Sequence, residues 1–190
     1  MKISEAIQFV QPQMTEKRFQ HTLRVAETAV QLARKYGIDP YQAELAAVLH
    51  DYAKCRDLNE LKRWIEASAL PKDLVLYHHE LWHGPVGALL VKRELGIRDP
   101  EVLDAIHYHT TGRAHMSQLE LVVFLADYIE PGRNFDGLEA VRQASEESLL
   151  KGAWLASKNT IRYLMEKQGT IYPDSFHAYN DLTKKVHGGM

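Results

Sequence analysis

The sequence predicts an all-α protein folded as one domain. Apolar residues recur at helical spacing along most of the chain. Gly, Pro or Asp punctuates most junctions: Pro71, Gly84-Pro85, Gly96, Asp99-Pro100, Gly112, Pro131-Gly132 and Gly169. Convincing strand alternation is absent, as are internal repeats, low-complexity tracts and linkers.

Each element has its own justification. Thr15 is placed to cap a helix running to about Tyr36, with Phe19, Leu23, Ala26, Val30 and Ala33 at helical spacing and Gly37 as its stop. Asp39-Pro40 supplies a cap and a first-turn proline for the next helix, which ends on His50-Asp51. Further helices are expected over 58–68, 72–79, 84–95, 99–109, 117–130, 136–144 and 148–167, with a short one after Pro173. The stripe Trp154, Leu155, Ile161, Leu164, Met165 reads as core packing. Lys184-Lys185 reads as a solvated tail.

Composition narrows the function classes. The 190 residues carry 23 basic and 25 acidic side chains, a net charge of -2, so nothing draws the chain globally to nucleic acid or an anionic membrane. No apolar run approaches a membrane span, and MKISEAIQFVQPQM lacks the uninterrupted apolar region of a signal peptide. Cys55 is the single cysteine, which excludes an internal disulfide and suits a reducing compartment. A cytoplasmic protein is expected. Ten histidines are many for this length, and His78, His79, His83, His107, His109 and His115 cluster in one region.

The stretch LAAVLHDYAK (45–54) ends an apolar run on a histidine and an aspartate. Asp127 lies in LVVFLADYIEPG, one turn before a helix-stopping Pro-Gly. A helix C-terminus disfavours an aspartate, so two carboxylates at apolar helix ends suggest a shared cation. Taken singly, Asp127 fits an arginine partner equally well. His21, in line with the apolar face of its helix, changes the balance: His21, His50, Asp51 and Asp127 give two nitrogens and two oxygens from three helices. That donor set suits iron, manganese, cobalt or zinc. A structural zinc site would favour cysteine and a closed shell, and neither cue is present.

In order and spacing, His21, His50-Asp51 and Asp127 resemble the HD-domain metal-dependent phosphohydrolases. Outside those residues, RFQHTLRV (18–25), AVLHDYAK (47–54), HGPVGA (83–88), IHYHTTGR (106–113), FLADYIEPGR (124–133) and IYPDS (171–175) look like the YqeK family of symmetrical bis(5'-nucleosyl)-tetraphosphatases. The resemblance implies a single-domain HD-domain helical bundle, with core motifs over 18–133 and C-terminal helices and a nucleotide-contacting tail over 134–190. It implies metal-dependent splitting of diadenosine tetraphosphate into two ADP, with iron the first candidate metal, and a homodimer. An HD-type nucleotidase acting on another nucleotide, or a non-catalytic nucleotide sensor, is the alternative.

Roles are then expected residue by residue. The four ligands ready a water for attack on phosphorus, and Asp51 or Asp127 also orients it. Arg18 and Arg24 lie three residues either side of His21, on one helical face, placed for phosphate or simply solvated. Lys54 brings a compact charge to the same mouth, and Arg133 is placed to clamp a terminal phosphate. His83 and His109 match positions that hold a second metal in multinuclear HD enzymes. Here they hold a second ion, or contact phosphate and protonate the leaving ADP. Thr110 follows His109, and Thr170, Ile171, Tyr172, Pro173, Asp174 and Ser175 form the expected substrate loop. Cys55 reads as a small buried thiol, and His78, His79, His107 and His115 as surface or packing histidines.

Overall fold

In the computed structural model, which describes residues 1–188, helices α1 to α10 run in sequence and no strand occurs among the described residues. The Thr15 hydroxyl accepts from the Arg18 N–H at 3.3 Å and starts α2 (Glu16–Tyr36), preceded by α1 (Ile3–Val10). Asp39 caps α3 (Pro40–Leu49), and Asp57 caps α4 (Leu58–Ala67). After two short 3-10 turns come α5 (His83–Glu94), α6 (Pro100–Tyr108) and α7 (Gln118–Ile129). Helices α8 (Leu138–Glu147), α9 (Leu149–Glu166) and α10 (Pro173–His187) complete the chain.

Two helices occupy the centre. Leu119 to Ala126 of α7 and Leu45 to Leu49 of α3 are buried without interruption. A helix apolar all round has to be enclosed, and α7 accordingly packs on α2, α3, α6 and α9. Both central helices end at the same place, where His50 follows α3 and Asp127 lies in the last turn of α7.

Three expectations change. Residues 72–79 form 3-10 turns at Lys72–Leu76 and His79–Leu81 rather than an α-helix. Only Leu74 of that stretch is fully buried while Leu76 is 78% exposed, so it has no apolar stripe to hold a helix against the core. Helix α10 is long, because Ala178 and Leu182 give it a buried face against α9. The apolar stripe of α9 packs only in its first half: Met165, near its end, is 66% exposed.

Candidate metal centre

Four helix termini and the inner face of a fifth helix meet at the site. His50 and Asp51 follow α3, Asp127 lies in the last turn of α7, and His21 lies on the inner face of α2. His83 begins α5 and His109 follows α6. Gly84 makes the last two meet, since a Cβ there would lie 2.7 Å from the His107 carbonyl oxygen. Without that side chain α5 closes on α6 until His83 Nε2 is 3.0 Å from His109 Nε2.

The imidazoles are oriented from behind. His50 Nδ1 donates to the Ala47 carbonyl at 2.6 Å, and His109 Nδ1 to the Ile106 carbonyl at 2.8 Å. His21 Nδ1 donates to Glu130 Oε1 at 3.0 Å. Each bond leaves an Nε2 lone pair facing the centre, the orientation that metal-ligating histidines adopt. His21 Nε2 is 3.1 Å from Asp127 Oδ1, and His50 Nε2 is 3.1 Å from Asp51 Oδ2. His21 Nε2 and His50 Nε2 are buried with no hydrogen-bond partner, a costly state that a cation would relieve. Donor atoms of His21, His50 and Asp127, and likewise of His50, Asp51 and His109, lie within 4.8 Å of one another. The donor set therefore fits a divalent metal.

The electrostatics agree. Burial works against charge on His50, but Asp51 and Asp127 outweigh it and raise its pKa. Burial also opposes ionisation of Asp51, yet the facing His50 and His83 hold its carboxyl well below the ordinary range. Asp127 is likewise lowered, by His21 and Arg133 against burial. Burial, together with the neighbouring His50 and His83, pushes His109 down to about 3. The centre thus keeps anionic carboxylates and favours positive charge between them.

A cavity of about 300 Å³ opens onto these groups. Arg18, Lys54 and Arg133 rim it, each paired with an acid: Arg18 with Asp51 at 2.8 Å, Arg133 with Asp127 at 2.5 Å, and Lys54 with Glu80. The arginine partner that Asp127 alone would have fitted is thus present beside the metal donors. Thr110 lines the cavity, and its hydroxyl is buried without a hydrogen-bond partner. Phe124, Tyr128 and Phe135 give it an apolar side.

Other expected site residues lie elsewhere. Arg24 reaches away from the centre to Glu130, at 2.6 and 3.3 Å. Thr170, Ile171, Tyr172, Pro173, Asp174 and Ser175 are absent from the lining of this cavity. Tyr172 is instead buried edge-on against Tyr77, its ring centre 4.9 Å away. Cys55 is exposed rather than buried, because it sits in the turn after α3 where the chain has left the core.

Two residues escaped the sequence reading. Glu130 is 2% exposed and accepts from His21, from Arg24 and from the Gly132 N–H. A Cβ on Gly132 would lie 2.5 Å from the Arg24 guanidinium, so this clasp needs glycine there. Its signal was the three-residue interval from Asp127, one helical turn. Arg142 donates to the carbonyls of Ile129 and Glu130 at 3.1 Å and of Arg133 at 3.3 Å, closing the open end of α7. Nothing in the sequence near α8 announces it.

The HD domain family profile matches residues 18–132. The chain is 50% identical to the symmetrical bis(5'-nucleosyl)-tetraphosphatase of Halalkalibacterium halodurans, over 96% of this chain and 97% of that one. It is 46% identical to the protein of the same name from Bacillus subtilis, over 96% and 98%. A solved structure from Clostridium acetobutylicum, described as an HD superfamily hydrolase involved in NAD metabolism, superposes with a TM-score of 0.91. That structure shares 35% identity, over 97% of this chain and 98% of that one. With its histidines and aspartates gathered at the helix ends as described, this chain belongs to the HD domain family, among the relatives of the symmetrical bis(5'-nucleosyl)-tetraphosphatases.

Proposed function

We propose that the protein hydrolyses the central anhydride of diadenosine tetraphosphate, giving two ADP, with a divalent metal held by His21, His50, Asp51 and Asp127. The observation that carries this reading is the convergence of buried, unpartnered imidazole nitrogens and two carboxylates beneath a rim of three cations. Kinship with symmetrical bis(5'-nucleosyl)-tetraphosphatases supplies the substrate. Iron heads the candidates through the family resemblance, while the imidazole and carboxylate donors suit manganese, cobalt or zinc equally. The resemblance also carries a homodimer, and the single cysteine suits the cytoplasm; light scattering and cell fractionation check them. No helix among the described residues is long and apolar enough to cross a membrane.

When bound, such a metal lowers the pKa of its water and offsets charge growing on the phosphoryl oxygens. The chain does the rest. Arg18, Lys54 and Arg133 exchange their present carboxylate partners for phosphate oxygens, fixing the polyphosphate across the cavity. Thr110 donates its free hydroxyl to the same oxygens. Asp51 and Asp127, both kept ionised, accept a hydrogen bond from the attacking water and turn it toward phosphorus.

Proton delivery falls to His83. Because His109 Nδ1 is committed to the Ile106 carbonyl, its Nε2 accepts, and His83 Nε2 must donate across the 3.0 Å contact. His83 lines the cavity, and as an imidazolium it would pass a proton to the departing ADP oxygen as the P–O bond breaks, ending as neutral imidazole. With its lone pair released from His83, His109 would be free to serve as a further ligand beside Asp51. Tyr128 and Phe135, in edge-to-face contact at 5.2 Å, offer a wall for one nucleoside.

The test is incubation of the iron- or manganese-loaded protein with diadenosine tetraphosphate. ADP as sole product is expected. AMP with ATP would exclude symmetrical cleavage, and ADP binding without turnover under any metal would make the protein a sensor.

A further inference from the structure

A second cavity lies beside the metal basin, and the mechanism above places no substrate group in it. It is the larger, about 520 Å³ against about 300 Å³, and opens between the start of α2, the turn after α3 and the Pro131–Arg133 turn. The two cavities share Arg18, Lys54 and Arg133, and residues of the metal centre border both: His21 the second, Asp51 and Asp127 the first.

Their charge differs. The metal basin sets its three cations against Asp51, Glu80 and Asp127. The second cavity adds Lys17 and Arg24 to the shared three, with Glu130 as the single carboxylate of its lining. Glu130 is already saturated by His21, Arg24 and Gly132. Lys17 is exposed and forms no ion pair among the described residues. No Phe, Tyr or Trp lines this cavity.

Symmetrical cleavage puts the metal at the midpoint of the substrate, with an equal nucleoside diphosphate on either side. At about 300 Å³ the metal basin sits at the small end of ligand pockets, room for one half. The other half has to leave the centre past the shared rim. A third cavity beyond Glu80 holds only about 240 Å³, and its Arg56 is occupied by Glu60 and Glu94.

We propose that the cavity beside the metal basin receives the second nucleoside diphosphate of the substrate, gripped by its phosphates, with Lys17 as a specificity-determining contact. The proposal rests on the symmetrical-hydrolase reading. One nucleoside lies against the aromatic side of the metal basin, and the other is held through charge alone. Its grip therefore weakens with salt faster than that of the first.

The experiment is calorimetric titration of manganese-loaded protein with ADP, for the wild type, Lys17→Glu and Lys17→Arg. Two ADP per chain are expected for the wild type. The second, salt-sensitive site is expected to disappear in Lys17→Glu and to persist in Lys17→Arg. One ADP per chain in the wild type, or an undisturbed second site in Lys17→Glu, overturns the proposal. In steady-state assays with diadenosine tetraphosphate, Lys17→Glu should raise KM about tenfold and leave kcat within about twofold. Should the wild type not turn that substrate over, the functional reading fails, while ADP stoichiometry still decides the second cavity.

Discussion

The helix ends at the metal centre and the start of α10 are both polar, aromatic-flanked stretches, but they differ in what is left open. At the centre, His21 Nε2 and His50 Nε2 are buried and unpartnered, and the nearby charges leave Asp51 and Asp127 ionised. At residues 170–175 no buried side-chain nitrogen or oxygen is left without a partner. Tyr172 packs on Tyr77, the Ser175 N–H donates to the Tyr172 carbonyl at 3.0 Å, and Ser175 is buried. A ligand acts where the fold leaves polar groups unanswered, because it recovers free energy there that a satisfied segment no longer has to give.

The hardest blow to the centre should come from Asp51→Ala. It removes a carboxylate facing His50, His83 and Arg18. Metal content should vanish, and activity should fall on the order of a thousandfold. Elemental analysis alongside turnover reads both, and a variant that keeps its metal would break the contrast at its stronger side.

Glu130→Ala should follow. The variant frees His21 Nδ1 and strips Arg24 of its partner, so metal affinity should drop about 10- to 100-fold, as measured by chelator competition. Unchanged affinity would mean that His21 needs no support from behind.

Lys54→Ala should spare the metal, since Lys54 touches Glu80 rather than the donors. Its cost is expected in kcat/KM, about tenfold. Full activity would remove Lys54 from the phosphate rim.

The tail gives the mildest expected effect. Burial, with Asp174 and Asp73 nearby, pushes the Tyr172 phenol up from 10 to about 12. The folded chain holds that proton more tightly than the unfolded one. The associated stability is therefore whole below pH 10 and lost as pH rises from 10 toward 12. Urea melts of Tyr172→Phe should decline less steeply across that window, with turnover at neutral pH within about twofold of wild type. A large loss of turnover would return residues 170–175 to the substrate.

Much of this was readable in advance, for physical reasons that attach to particular residues. The caps Thr15 and Asp39, and the stops at Gly37 and Pro131-Gly132, are local, so α2, α3 and the end of α7 follow from short windows of sequence. Residues 72–79 went astray because helix or 3-10 turn was decided by how little apolar surface they can bury.

By itself, the sequence determined the helical architecture and the residue types of the candidate metal centre, since periodicity, caps and a carboxylate at an apolar helix end are properties of neighbouring residues. Only tertiary structure decided which groups stand behind those ligands. Arg24 turned to Glu130, Arg142 closed α7 from a helix away, and His109 moved in beside Asp51. Such pairings depend on the approach of helices far apart in the chain, for which Gly84 and Gly132 make room.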